Sequence, residues 1–311
     1  MLTIESVPDP EPGPEEVLVD VVATALNRAD LLQRMGHYPG PPMAQEIPGL
    51  EFSGRVAARG NRAVLWEPGD AVMGIVGGGA YAERVAVHER QVMAVPATVD
   101  VAEAAAIPEV FLTAWDALVV QGGLTSGRWA LVHAGASGVG TAAIQVAKAV
   151  GARVAVTCST GKAGVCRELG ADLVLERSPH DWLGELRSHV LAGVDVVLDV
   201  VGGDEVDRSI DALALKGRVV QVGMMGGRSM ADLGKLMAKR AAVIGTVLRP
   251  RPLEEKIALT QRFAAEMLPL FDSGALRPVI DSRFPLDAVA EAHARMEGNA
   301  NAGKILLDVG A

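Results

Sequence analysis

The residues of this chain best suited to chemistry lie between His133 and Thr141, in the order His-Ala-Gly-Ala-Ser-Gly-Val-Gly-Thr. A short apolar run, Trp129-Ala130-Leu131-Val132, precedes them, and a helical pattern beginning at Ala142 follows. A strand, a glycine turn and a helix in that order present bare backbone N–H groups to a pyrophosphate at a helix N-terminus. The spacing of Gly135, Gly138 and Gly140 departs from G-x-G-x-x-G. Alone, the turn therefore reads either as a dinucleotide cradle or as a tight strand-to-helix corner. A second signal lies at the end of the next strand. A site for NAD carries Asp or Glu there, about 20 residues after the glycines, to bind the ribose 2′-hydroxyl. Here the strand runs into Thr157-Cys158-Ser159-Thr160-Gly161-Lys162, with no acid. The hydroxyls of Ser159 and Thr160 and the ammonium of Lys162 suit a 2′-phosphate instead, through charge-assisted hydrogen bonds. Arg177, just past the third strand, offers a second cation. NADPH is the expected cofactor.

The elements that must position these residues alternate. Strand candidates are Trp129–His133, Arg153–Thr157, Asp172–Leu175, Val194–Val200, Arg218–Gly223 and Ala242–Leu248. Helical segments lie between most of them, at Val139–Val150, Lys162–Leu169 and Asp204–Leu215. Such alternation predicts an α/β domain with a doubly wound parallel sheet and helices on both faces. The loops after the fourth and fifth strands, with Val200 and Gly202 and with Gly223, Met224 and Met225, fall at carboxyl ends, where ligands bind in such sheets.

The first hundred residues are β-rich, with strands at Val17–Val22 and Tyr81–Val87 and Gly/Pro loops at Gly36–Pro42 and Gly77–Gly79. Ala104–Val120 reads as helix, interrupted near Pro108. After Arg249 come a helix over Leu253–Ser273, a short strand near Val279, a helix at Asp287–Met296 and a last strand, Ile305–Val309. These pieces form no obvious sheet of their own and are expected to rejoin the N-terminal domain. The expected organisation is 1–108 and 249–311 for a split domain, with the nucleotide domain, 109–248, inserted.

Composition narrows the function classes. Half of the 311 residues are hydrophobic and only 4% aromatic, so the core must be built from Ala, Val and Leu. The net charge of −9 and the lack of a basic stripe disfavour nucleic acid as a partner, and with it an RNA-binding or purely structural role. The N-terminus lacks a signal-peptide pattern, and no charge- and glycine-free apolar stretch reaches about 18 residues. A cytoplasmic protein with no membrane span is expected. Cys158 and Cys166 form neither a disulfide framework nor a zinc pattern, and His37, His88, His133, His180, His189 and His293 lack ligand spacing. No metal site is expected.

Four further stretches complete a familiar pattern: Ala25-Leu26-Asn27-Arg28-Ala29-Asp30-Leu31, Pro48-Gly49-Leu50-Glu51-Phe52-Ser53-Gly54, Ala105-Ala106-Ile107-Pro108-Glu109, and His133 to Gln145. With them the chain resembles the medium-chain dehydrogenase/reductase superfamily, in its zeta-crystallin-like quinone oxidoreductase branch. Gln33–Tyr38, Met224-Met225-Gly226-Gly227 and Leu248-Arg249-Pro250-Arg251 are similar to the stress-inducible NADPH quinone oxidoreductase subfamily.

The resemblance implies a GroES-like β-barrel catalytic domain split around a Rossmann domain, an active site in the cleft between them, a homodimer, and NADPH-dependent reduction of quinones. It implies no zinc, since the zinc enzymes of the superfamily place a cysteine ligand where this chain has Asn27 and a histidine where it has Leu50, and carry a four-cysteine lobe absent here. Hydrogen-bond donors must then stabilise the oxygen that gains charge. Asn27, facing the nicotinamide, and Tyr38, donating its O–H or stacking on a flat quinone, are the catalytic candidates. The blander alternatives are a loop asparagine bonding its own backbone and a tyrosine anchoring its loop. Cofactor contacts are expected from Thr113, from Gly135, Ala136, Ser137, Gly138, Val139 and Gly140, and from Asn301 and Lys304. Glu109 is a weaker candidate. The alternative activity is reduction of an activated C=C bond, as in an enoyl or alkenal reductase. Members also carry a strand and hairpin before the segment equivalent to Ile4–Pro8. This chain begins within that region, so either its start is shortened or the gene begins upstream.

Overall fold

The computed structural model describes residues 2–38, 46–177 and 181–310. His180 and the Pro39–Pro42 part of the first Gly/Pro loop lie outside the described residues. The chain divides into two compact units, residues 1–112 with 249–311, and residues 113–248.

The first unit opens with β1 (Glu16–Ala25), α1 (Arg28–Arg34), β2 (Glu51–Arg59), β3 (Ala71–Ile75), β4 (Arg84–His88) and β5 (Val92–Ala94). β1 alternates its side chains and buries Val17, Val19 and Val21 against Phe52, Val56, Val72, Val85 and Val87. Its pairing with β2 is antiparallel, with register shifts between Leu18 and Val19 and between Val21 and Ala23. The helix expected from Ala104 is three pieces: a 3₁₀ turn at Glu103–Ala106, α2 (Pro108–Trp115) and a π-helical stretch at Asp116–Gln121. Pro108 occupies the first helical position, where its missing N–H costs nothing.

The second unit holds β6 (Trp129–Val132), α3 (Gly138–Ala149), β7 (Arg153–Cys158), α4 (Ala163–Glu168), β8 (Leu173–Glu176), α5 (Trp182–His189), β9 (Val194–Asp199), α6 (Glu205–Ala212), β10 (Leu213–Gln221), α7 (Leu233–Lys239) and β11 (Ala242–Gly245). All six strands are parallel, in the order β11-β10-β9-β6-β7-β8. This is the expected doubly wound sheet. The chain reverses direction between β6 and β9, which makes that crevice the switch point where such sheets take ligands. Val154, Ala155 and Val156, like Val196, Val197 and Leu198, are all buried, as strands covered on both faces require. β10 starts at Leu213, earlier than expected, because Leu213 pairs with Val194 before the register shifts ahead of Arg218. Lys216, at φ 64, makes that irregularity.

The chain then returns to the first unit through α8 (Leu253–Asp272), β12 (Ile280–Pro285), α9 (Val289–Glu297) and β13 (Lys304–Asp308). β13 pairs antiparallel with β1, and β12 parallel with β13. The C-terminal pieces thus complete a seven-stranded sheet begun by the N-terminal ones. Among the described residues no helix is long and apolar enough to cross a membrane.

Candidate active-site residues in each unit

In the second unit the glycine turn is pinned from several sides. The Gly135 N–H donates to the Thr157 carbonyl at 2.8 Å, joining the ends of β6 and β7. His133 is buried, and its two ring nitrogens lie 2.9 Å from Thr157 Oγ1 and 2.9 Å from Ser209 Oγ on α6. Burial pushes its pKa down, so the imidazole is neutral and structural. Ser137 caps α3 by accepting from the Gly140 N–H at 3.0 Å. The remaining first-turn N–H groups of α3, at Gly138 and Val139, have no partner within the helix, as at any helix start.

Two of the glycines are required by space. A Cβ on Gly140 would lie 2.3 Å from the Ala134 carbonyl oxygen, and one on Gly135 would lie 2.7 Å from Val156 Cβ. Strand, turn and helix are therefore packed as closely as a dinucleotide cradle needs. Ala136 is buried beneath the turn.

β7 ends at Cys158, and Thr160–Lys162 follow as one 3₁₀ turn. Ser159 and Thr160 are exposed and Lys162 is half-buried, with no carboxylate in the sequence from Thr157 to Arg167. Arg177 flanks this turn, since its N–H donates to the Cys158 carbonyl at 2.9 Å. Its guanidinium lies 3.8 Å from Glu205, which Arg208 also approaches and to which the Trp182 indole donates.

At the end of β9, Asp199 Oδ1 accepts from the N–H groups of Val201 and Gly202, at 2.6 and 2.9 Å, and turns the chain past Val200. The Gly226 N–H donates to the Val201 carbonyl at 2.7 Å, so the Gly223–Gly226 loop is tied to this turn. Met224 and Met225 are half-exposed beside it. Thr113 is half-buried on α2.

In the first unit, Asn27 sits at the N-cap of α1 and is only 7% exposed. Its amide nitrogen donates to Glu51 Oε1 at 2.9 Å and to the Ala25 carbonyl at 3.3 Å. Its amide oxygen accepts from Lys304 Nζ at 2.7 Å. Lys304 also donates to the Leu26 carbonyl at 2.6 Å and pairs with Glu51 Oε1 at 2.7 Å. Its three protons are thus matched by three acceptors of its own unit, and it is 3% exposed. Lys304, expected among the cofactor contacts, lies buried against Asn27 and Glu51. Glu51 Oε2 accepts from the Glu109 N–H at 2.8 Å, tying α2 to the same cluster. Asn301 donates to the Gly303 carbonyl at 2.8 Å, shaping the turn before β13.

Asp30 lies beneath Asn27. Its Oδ2 accepts from the Asn27 N–H at 2.7 Å and from the Tyr81 O–H at 2.9 Å, while its buried Oδ1 has no partner among the described residues. Burial raises its carboxyl to about 6, against the lowering effect of those two donors and of Lys304. His293 Nε2 lies 3.4 Å from the Tyr81 oxygen, and burial lowers that histidine to about 4. Tyr38 is gripped by Arg249, whose guanidinium stacks 4.7 Å from the ring centre and donates to the Tyr38 carbonyl at 3.1 Å. Arg249 also donates to the Gly77 carbonyl and to Gln33. Burial raises the Tyr38 hydroxyl, and the Arg249 cation opposes this.

The sequence singles out Asn27 and Lys304 but does not pair them. Glu51 and Asp30 lie in Pro48–Gly54 and Ala25–Leu31 and carry no role there. Charged residues of a β-rich domain carry no signal that they are buried until their cross-strand neighbours are known. Among the described residues no group of three or more His, Cys, Asp or Glu side chains is placed to hold a metal ion.

Residues 13–97 match the alcohol dehydrogenase GroES-like domain family, and residues 169–307 the zinc-binding dehydrogenase family. The chain is 32% identical over 316 residues to the rat synaptic vesicle membrane protein VAT-1 homolog, covering 96% of this chain and 78% of that one. It is 30% identical over 310 residues to human quinone oxidoreductase, covering 96% and 90%. A mycobacterial protein solved in complex with NADPH superposes with a TM-score of 0.87 at 30% identity, covering 98% and 94%.

Proposed function

The chain belongs to the medium-chain dehydrogenase/reductase superfamily as a quinone-oxidoreductase-like oxidoreductase, and we propose that it reduces quinones at the expense of NADPH. The observation that carries this reading is the Asn27 carboxamide, held by Lys304 and Glu51 with one N–H only weakly engaged at 3.3 Å. A neutral hydrogen-bond donor suits an acceptor that takes hydride readily and needs modest stabilisation of its oxygen.

The residues of the second unit fit NADPH. Gly135 and Gly140 leave the space that a Cβ would fill, and the first turn of α3 offers N–H groups to a pyrophosphate. Ser159, Thr160 and Lys162, with Arg177 beside them, suit the 2′-phosphate. Val200, Gly202, Gly223, Met224 and Met225 line the carboxyl ends of β9 and β10 and serve the nicotinamide half, with Thr113 and Asn301 as further contacts. Bound NADPH supplies hydride. Asn27 donates its N–H to the quinone oxygen as charge develops there. Tyr38, immobilised by Arg249, offers its ring face to a flat acceptor. Water supplies the proton that completes the hydroquinone. Positioning is the main contribution of the protein.

The same reading includes a homodimer in the cytoplasm. The free thiols Cys158 and Cys166 fit a reducing compartment. β11 is paired on one side only among the described residues, and exposed apolar side chains, among them Met237 at 79% and Val243 at 39%, surround it in sequence. An edge of this kind calls for a covering partner.

The test is steady-state turnover with NADPH and NADH against 1,2-naphthoquinone, crotonyl-CoA and an alkenal. We expect kcat/KM with NADPH to exceed that with NADH at least tenfold, and the quinone to be the best acceptor. Equal use of NADH removes the 2′-phosphate assignment. Preference for crotonyl-CoA or the alkenal makes the protein a C=C reductase.

A further inference from the structure

We propose that Lys304 and Glu51 are positioning residues for the reduction, a buried ion pair that fixes the orientation of the Asn27 carboxamide and polarises it. The inference rests on the catalytic reading of Asn27 given above. It goes beyond that reading by assigning the donor strength of Asn27 to a lysine whose three protons are all taken up within its own unit.

The hydrogen bonds leave one arrangement. The Lys304 ammonium, a donor only, faces the Asn27 amide oxygen at 2.7 Å, and the Glu51 carboxylate faces the amide nitrogen at 2.9 Å. A flipped amide would set NH₂ against ammonium and carbonyl oxygen against carboxylate. Lys304 and Glu51 are buried together, the latter fully, so neither contact is diluted by solvent. Glu51 is held in turn by the Glu109 N–H, and Lys304 by the Leu26 carbonyl. Four segments therefore converge around one amide: the end of β1 and the starts of α2, β2 and β13.

The ammonium on the amide oxygen draws electron density from the amide, and the carboxylate holds one of its two hydrogens. The other hydrogen meets only the Ala25 carbonyl, at 3.3 Å. That hydrogen is the one a quinone oxygen takes over, and the adjacent cation makes it a stronger donor than an isolated asparagine in a low-dielectric surround. The effect grows with the charge on the oxygen, so it acts on the transition state more than on bound substrate.

The experiment compares the full-length protein with Lys304→Met and with the double variant Lys304→Met/Glu51→Gln. The double variant removes both charges of the pair, so Glu51 is not left as an unpaired buried carboxylate and the test stays open if the single variant fails to fold. Three readouts are taken: the Asn27 side-chain amide pair in a ¹H–¹⁵N spectrum, identified by its loss in Asn27→Ser; NADPH affinity by fluorescence; and kcat with one strongly and one weakly oxidising quinone. We expect the amide pair to shift, the NADPH Kd to stay within twofold, and kcat to fall about tenfold with the weak quinone and much less with the strong one. An unmoved amide pair overturns the proposal, as does an equal loss of kcat with both quinones. A Kd weakened more than tenfold at unchanged kcat also overturns it and returns Lys304 to the cofactor. If the unsubstituted protein reduces no quinone, the activity proposed above fails, and the amide signal alone then decides the contact.

Discussion

Asp30 shows how a single buried group leaves a signature in solution. Its carboxyl is raised from 3.8 to about 6, chiefly by burial, although the Asn27 N–H and the Tyr81 hydroxyl both stabilise its charge. A pKa raised on folding means that the native protein binds the proton more tightly than the unfolded chain does. The contribution is present in full below about 3.8 and is lost as pH rises through about 6. A shift of this size corresponds to about 3 kcal/mol at neutral pH. Asp30→Asn does not titrate, so its stability relative to the parent should rise between pH 4 and pH 7 by an amount of that order. Denaturant melts at pH 4, 5.5 and 7 check this, and a constant difference across the three contradicts it. His293, lowered to about 4, changes in the opposite sense but equally in both proteins.

At the scale of elements, the turn between β6 and α3 is where geometry is least forgiving. Gly140→Ala puts a methyl 2.3 Å from the Ala134 carbonyl oxygen, and backbone cannot move aside as a side-chain end can. Gly140→Ala should cost about 2 kcal/mol or more in stability and at least tenfold in NADPH affinity, measured by denaturant melts and fluorescence titration. Ser137→Ala, by contrast, only removes the cap on α3 and should cost about 1 kcal/mol. The glycines and the strand runs around them were legible because both are local: period, apolar run and turn residue are all read within about fifteen positions. The strand from Leu213 was not, because only pairing with Val194 extends β10 back across Lys216 and Gly217. The split of the 104–120 helix at Pro108 was legible, and the π-helical stretch at Asp116–Gln121 was not. Thr246 on a distant segment donates to Asp116 at 3.1 Å, a contact that no local pattern announces.

For the whole molecule, the testable quantity is assembly. β11 ends its sheet with Ala242, Val243 and Gly245 facing solvent, and α7 before it buries none of its residues. A second copy laid along this edge would pair the free backbone groups and cover Val243 and its apolar neighbours. Light scattering should give twice the mass of one chain for the unsubstituted protein. Val243→Lys, which sets a charge on that edge, should give the mass of one chain with its melting temperature little changed. A dimer that survives Val243→Lys places the contact elsewhere.

What the sequence determined by itself was the alternating strands and helices of a parallel α/β domain, the return of the C-terminal pieces to the N-terminal unit, and a close glycine turn between β6 and α3. Each is encoded by neighbours in the chain: apolar period, glycine spacing, and the residues that follow a strand. The tertiary structure decided what surrounds Asn27. Glu51 and Lys304 stand 24 and 277 positions away from it. Antiparallel pairing of β1 with β2 and β13 brings both to one amide. Burial then makes their charges effective, and neither the proximity nor the loss of solvent is written in any local stretch.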